Sequence, residues 1–477
     1  MLDSVVVGAG PNGLAAAITL ARAGRSVHVI EASGVIGGGV RSAELTRPGF
    51  VHDVCSSIYP MGLGSPFFRD LPLAEHGLQW VQPDLPLAHP LDGGRAVELR
   101  RSLDATAEGL GVDGPAYATM LRDLTERWRA LMAPAPRRLG DVLRPSPGLL
   151  RTAAAGLAPA ARVARRRFVT EEARALWAGL GAHGMQSLAR AGSGGFALTL
   201  GAAAHAVGWP FVRGGAQRLA GALAGVLRRH GGTIETGHDV RSLDELPAAR
   251  AVLLDVAPEA LSRIAEGLLP ARFRSRLSRF RRGPAAFKLD YALSQPIPWR
   301  AEVCRRAGVV HVGGAWDEVA LALAEVARGR HPSRPFVLVA QPSLFDRSRV
   351  PPGSSHHTAW AYCHMPLGSG RDMTGPIEAQ IERFAPGFRD VVLARHALDP
   401  RALEAHDANL IGGDISGGAC DLRQLLFRPT PRLRPWTTPH PRIFLCSAST
   451  PPGPGVHGLC GHFAARAALR ALDRQII

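Results

Sequence analysis

Residues 4–32, SVVVGAGPNGLAAAITLARAGRSVHVIEA, restrict the fold more than any other part of this 477-residue chain. Ser4–Val7 reads as an apolar strand, and an Ala/Leu-rich helical pattern follows until Gly24 ends it. A second strand then closes on Glu31. Between strand and helix stand Gly8, Gly10 and Gly13, a G-x-G-x-x-G turn whose remaining helix-side positions are Pro11 and Asn12. The three glycines differ in what they permit. Gly8 makes the tight turn, Gly10 lets backbone approach a diphosphate, and Gly13 lets helix and strand pack closely. The helix N-terminus stabilises the anion. Glu31, 18 residues past Gly13, is placed to accept hydrogen bonds from a ribose diol. Strand, turn, helix, strand and acid in this order predict a Rossmann-like dinucleotide site.

A second match, GLGAHG at 179–184, follows the helical TEEARALWA rather than a strand, and no acid-ended strand comes after it. It reads as a helix end and loop, leaving one dinucleotide site.

The rest of the composition narrows the class. A chain this long exceeds one hydrophobic core and implies two or three lobes. The most apolar stretch, 191–212, is broken by His205, Pro210 and several glycines, so it reads as a buried helix and turn rather than a membrane span. The N-terminus runs directly into strand and glycine turn without a basic leader, which gives a cytoplasmic expectation. Six cysteines without paired spacing read as reduced thiols, with no metal site expected. The net charge of +16 comes from arginines scattered through every segment, so nucleic acid is not an expected partner. The segment 269–283, LPARFRSRLSRFRRG, places Leu269, Phe273, Leu277 and Phe280 at helical spacing with arginines on the other faces. It reads either as a surface helix with its stripe on the core or as a peripheral membrane contact.

Directly after Glu31 comes SGVIGGGVRS, with Gly37, Gly38, Gly39, Arg41 and Ser42. A fingerprint at the N-terminus followed by this doublet resembles the FAD-dependent amine oxidase and phytoene desaturase superfamily. The segments HDVCSS, GWPFVRGG, FVLVAQPSLFD, GGDISGGACDL and PPGPGVHGLCG are similar to its phytoene-dehydrogenase-like branch over nearly the whole chain. The resemblance implies FAD, with the doublet, Arg41 and Ser42 holding its pyrophosphate. It also implies an α/β fold, a discontinuous Rossmann-like FAD-binding domain (1–70, 207–260 and 428–477) plus an α+β substrate-binding domain (71–206 and 261–427). Residues 134–168, rich in Pro, Ala and Arg, fit an irregular helical insertion on the second lobe. In 209–243 a Phe-x-x-Gly-Gly turn at Phe211, Gly214 and Gly215, a helix and a strand ending near Val240 would return the chain to the flavin domain, with Val240 backbone against adenine. In 442–472 a closing strand, turn and helix would bring Gly455, Val456 and His457 to the pyrimidine edge of the flavin. The acidic residue many amine oxidases carry on that strand has no counterpart in LCSAST.

One lysine stands among 55 arginines: Lys288, in GPAAFKLDYAL, on an alternating pattern that reads as a strand. In amine oxidases a lysine at the matching point hydrogen-bonds flavin N5 through a water. Arginine does not substitute there, because a guanidinium is a planar fork that stays protonated. The alternative is a chance survivor of the arginine bias. His457 and Cys460 are secondary candidates for acid–base work or covalent flavin attachment, and Cys55, Ser56 and Asp414 are weaker ones.

The expected activity is hydride removal from an apolar small molecule onto flavin, forming C=C or C=N, with dioxygen or a quinone-like acceptor restoring the oxidised state. Two alternatives stand beside it. One is a flavin amine oxidase, with Trp436 and His440 supplying part of an aromatic cage; the other is a flavin-binding interaction protein without turnover.

Overall fold

The computed structural model describes residues 1–132 and 147–474. The first sheet is parallel and five-stranded. In chain order it comprises β1 (Leu2–Val7), β2 (Val27–Glu31), β9 (Thr233–Thr236), β10 (Ala249–Leu254) and β16 (Ile443–Leu445), arranged β16-β10-β1-β2-β9. Its central strands are almost wholly buried, as a parallel sheet covered on both faces requires. Helix α1 (Pro11–Arg22) starts immediately after the glycine turn. Pro11 occupies its first position, where a missing N–H costs nothing. The C-terminal helix Leu459–Asp473 lies against α1 at Gly461, where a Cβ would come within 1.8 Å of the Asn12 carbonyl oxygen. This contact brings the 453–458 turn beside the start of α1.

Two two-stranded ribbons follow this sheet. They are β3 (Ser42–Ala43) with β4 (His52–Asp53), and β5 (Trp80–Val81) with β8 (Phe211–Val212). The second large sheet has seven strands: β6 (Leu85–Pro90), β7 (Ala96–Leu99), β11 (Ala285–Leu293), β12 (Ala307–Val312), β13 (Val337–Ala340), β14 (His357–Met365) and β15 (Val392–Leu398). Its order is β15-β11-β14-β13-β12-β6-β7, and only the β12–β6 pair is parallel. One face, with Phe287, Leu289 and Tyr291, packs under the helix Thr374–Phe384. The opposite face carries Lys288 and Asp290, and it meets the helices Glu171–Ala182 and Ser193–Ala206 farther along the sheet.

Several expectations need correction or restriction. β9 ends at Thr236, where Gly237 takes φ +80°, so Val240 lies outside any strand. Its side chain is buried among Val5, Val7 and Ile30. The basic segment 269–283 forms a helix only over Ala271–Leu277, and Leu269, Phe273 and Leu277 are buried in that same cluster. The stripe therefore belongs to the core and offers no apolar face to a membrane. Part of the 134–168 insertion lies outside the described residues; the rest forms the helices Pro147–Leu157 and Ala160–Arg167. GLGAHG is a helix end and turn, and among the described residues no helix is long and apolar enough to cross a membrane.

Candidate functional site

The glycine turn is built as its spacing demands. Gly8 has φ +99°, and a Cβ on Gly13 would sit 1.9 Å from the Gly8 carbonyl oxygen. Gly10 precedes α1 in an extended conformation, and since Pro11 has no N–H the Asn12 amide is the first that α1 offers. The Asn12 side-chain oxygen is buried there without a hydrogen-bond partner. Glu31, at the end of β2, accepts hydrogen bonds from the Ala9 N–H (2.7 Å) and the Ser33 N–H (2.9 Å), which fixes its carboxylate beside the turn.

The second glycine run folds back onto the first. Gly37 N–H donates to the Ala9 carbonyl (2.9 Å), and Gly38, at φ +50°, would push a Cβ to 3.2 Å from Gly10 Cα. Gly39 passes Cys55 and Ser56, whose hydroxyl donates to the Gly39 carbonyl (2.7 Å). Arg41 is buried, and its guanidinium donates to the carbonyls of Gly38 and His406 and to Ser33 Oγ. Ser42 instead donates to Asp53 Oδ1 (2.9 Å) and accepts from Gln217 N–H (3.1 Å), a structural placement.

Sequence reading missed Asp255, at the end of β10. Its Oδ2 accepts the Gly13 N–H at 2.7 Å, directly at the start of α1. Burial pushes its pKa up to about 8, with the charges of Asp407 and Glu31 adding to the effect. The group is then neutral near pH 7 and does not oppose an anion at the helix terminus. A glycine cradle, the Asn12 amide at the helix start, an arginine and a ribose-side carboxylate fit a flavin adenine dinucleotide.

The 453–458 turn stands nearby: the Gly62 position would meet the Val456 carbonyl oxygen at 3.2 Å, and Gly455 has φ +120°. His457 is buried. Its Nδ1 accepts the Leu459 N–H (3.0 Å), its carbonyl accepts Ser65 Oγ–H (2.7 Å), and burial lowers its pKa to about 4. The imidazole thus caps the start of the C-terminal helix. Cys460 Sγ donates to Thr450 O (3.3 Å), and burial pushes its thiol up to about 11. Asp414 closes a turn by accepting the amides of Gly283, Ser416 and Gly418. Trp436 packs on Phe463 and donates to the Pro451 carbonyl.

Lys288 is 3% exposed. It stands on the β11 face occupied by Ala286, which packs with Val54, Leu398 and Cys55. Its Nζ donates to Asp290 Oδ2 at 2.5 Å and lies 5.5 Å from the Trp360 ring centroid. Asp290 is fully buried; burial raises its pKa to about 6, against the pull of Lys288. Its other oxygen faces His52 Nδ1 at 3.7 Å. His52 is driven down to about 3, first by burial and then by the Lys288 charge. Next to His52, Asp53 joins Arg349 (3.0 Å), Ser57 Oγ (2.5 Å) and the Ala216 N–H (2.7 Å). This buried network ties β4 to the segment 346–349. HDVCSS contains its acid and histidine, and strand alternation puts Asp290 on the Lys288 face, but neither signal marks a function on sequence alone.

The parallel sheet with its glycine cradle, joined to a seven-stranded sheet that presents a buried lysine, defines a two-lobed dinucleotide-dependent oxidoreductase. Residues 12–259, just over half of the chain, match the model of the flavin-containing amine oxidoreductases, and the chain belongs to that family. It is an FAD-dependent oxidoreductase. A similar curated protein is pyridine nucleotide-disulfide oxidoreductase domain-containing protein 2 of Mus musculus, 28% identical with 99% of this chain and 94% of the relative covered. Among solved structures, an oxidoreductase from Methanosarcina mazei superposes with a TM-score of 0.64 at 16% identity, covering 98% of this chain and 99% of that one. Wild-type putrescine oxidase bound to putrescine gives 0.61 at 17% identity, covering 100% and 99%. These two likenesses establish the shared fold.

Proposed function

We propose that the chain dehydrogenates an apolar small molecule held between its two lobes, leaving a C=C or C=N bond. FAD, when bound, supplies the hydride acceptor. Lys288 carries the reading. It is the chain's lone lysine, buried on the inward face of β11, anchored by Asp290 at 2.5 Å and close to the Gly39–Cys55 region. A compact ammonium in that position holds or moves a proton beside the redox centre where a guanidinium cannot. His457 acts in this reading by fixing the 453–458 turn, with Gly455 and Val456 offering backbone to the flavin. Val240 stands at the adenine end by analogy, and dioxygen or a quinone-like molecule takes the electrons onward.

The division into an FAD-binding domain (1–70, 207–260 and 428–477) and a substrate-binding domain (71–206 and 261–427) is supported by the strands. All five of the parallel sheet fall in the first set and all seven of the other sheet in the second, but Leu269, Phe273 and Leu277 pack with the first sheet, so the segment through 277 sides with the FAD-binding domain. Amine oxidation is the second reading, favoured by the likeness to putrescine oxidase.

Anaerobic titration of the flavin-loaded protein with carotenoids, acyl lipids and amines, followed at the oxidised-flavin band near ~450 nm, tests the choice. Bleaching by an apolar class, slowed in Lys288→Met, supports the reading. Bleaching by amines alone transfers it to the second, and a flavin that nothing reduces overturns both.

A further inference from the structure

The face of the seven-stranded sheet that carries Lys288 continues as a row of rings. Tyr362 lies opposite Lys288 in the β11–β14 register, Trp360 opposite Asp290, and His364 opposite Ala286. Trp360 stacks on Tyr362 (centroids 5.8 Å apart), and Tyr362 packs on His364 (5.7 Å). Phe336 then links His364 to His311, whose Nε2 lies 3.0 Å from His183 Nε2 at the end of the Glu171–Ala182 helix. Tyr362 and His183 retain accessible surface, and Tyr362 touches both the helical core and the small cluster holding Cys55. The row therefore begins where the lysine stands and leads under the helices.

Several of its polar atoms are unspent. His364 is 2% exposed, and neither of its ring nitrogens has a hydrogen-bond partner. Trp360 Nε1 and His311 Nδ1 are likewise buried and unpartnered. Burying such groups without partners costs free energy, and their concentration along one face calls for a ligand that meets them. Among the described residues no three His, Cys, Asp or Glu side chains converge to hold a metal ion.

We propose that this row is the substrate site and that His364 is its specificity-determining residue, selecting an uncharged, mainly hydrocarbon molecule that bears one hydroxyl or carbonyl oxygen. The proposal rests on the reading that Lys288 marks the redox centre. Burial holds the imidazoles of His183 and His364 neutral, with pKa values near 4 and 3. A neutral ring presents one donor and one acceptor, which a hydroxyl satisfies in both directions. An ammonium ion entering here meets the Lys288 charge, while the neighbouring carboxylate, Asp290, is already paired with that lysine. The other members of the row are rings, so the rest of the ligand it would take is apolar.

The test uses flavin-loaded protein and four probes on one branched ten-carbon skeleton: geraniol, geranial, the deoxy hydrocarbon and geranylamine. Affinity is read by calorimetry and by tryptophan fluorescence. Geraniol and geranial are expected to bind about tenfold tighter than the hydrocarbon and geranylamine, the size of one hydrogen bond. His364→Leu should erase that preference while leaving hydrocarbon affinity within about threefold, and His364→Asn, which keeps a donor and an acceptor, should retain part of it. Tightest binding of geranylamine, an unchanged preference in His364→Leu, or no binding of any probe overturns the proposal. Selective binding that depends on His364 but never perturbs the flavin spectrum sustains the site and instead sinks the reading of Lys288 as the redox centre.

Discussion

Lys288 Nζ and Asp290 Oδ2, two residues apart on one face of β11, form a buried ion pair at 2.5 Å. Removing one partner exposes the cost of burying the other. In Lys288→Met the carboxylate of Asp290 loses the charge that opposed its upward shift to about 6. A carboxyl raised above its unfolded value contributes stability below the unfolded pKa and loses it as pH climbs through the folded value. Lys288→Met should therefore be nearly as stable as the parent at pH 5 and weaker by about 3 kcal/mol at pH 8. Urea denaturation at the two pH values reads this; equal destabilisation at both contradicts the pairing.

Asp255 gives a second pH-dependent outcome. With its pKa near 8 beside the Gly13 amide, it ionises just above neutral pH and then repels a diphosphate at the start of α1. FAD affinity of the parent should be nearly flat from pH 6 to 7 and fall at most about fivefold between pH 8 and 9, whereas Asp255→Asn stays flat throughout. Fluorescence titration of the apoprotein with FAD decides it, and identical pH curves refute it.

Gly10 and Gly13 should behave differently when given a methyl group. At Gly13 the Cβ would lie 1.9 Å from a backbone oxygen, so Gly13→Ala should destabilise the protein by about 3 kcal/mol and purify without flavin. At Gly10 the nearest atom is Asp255 Oδ2, at 3.0 Å, and φ is an ordinary −70°. Gly10→Ala should fold normally yet bind FAD at least about tenfold more weakly, because the methyl occupies the approach of the diphosphate. Thermal melts and flavin absorbance of the two purified variants separate these effects.

Arg349 is fully buried between Asp53 (3.0 Å) and Asp346 (3.1 Å) and donates to the Val212 carbonyl (2.9 Å). Arg349→Leu leaves two buried carboxylates unpaired and should cost about 3–5 kcal/mol. Asp53→Asn should cost less, since Asp346 still holds the guanidinium. Chemical denaturation measures both.

The dinucleotide cradle was legible because each part of its geometry demands a residue type: Gly8, Gly13 and Glu31 stand where backbone approach and a strand-end acid require them. The closing turn at Gly455, Val456 and His457 was placed by the family resemblance rather than by any demand of its own residues. Asp255 was not legible, since its role depends on β10 returning beside β1 after more than two hundred residues. The histidines of the ring row were equally hidden. His311 and His364 sit on strands whose alternation predicts a buried face but not which distant side chains share it. The arginine-rich stripe at 269–283 showed the opposite failure: its periodicity was real, and burial of Leu269, Phe273 and Leu277 under the first sheet decided its meaning.

The order of the parallel sheet has a consequence for biogenesis. β1 begins at residue 2, whereas its neighbour β10 gains its outer partner, β16, only at residues 443–445, and Gly461 seats the last helix on Asn12 later still. At about 5–20 residues per second of synthesis, the earliest segment waits tens of seconds for the latest. The nascent chain must therefore shelter an open sheet edge until residues 443–445 have been made, and the 453–458 turn joins the glycine cradle only after that.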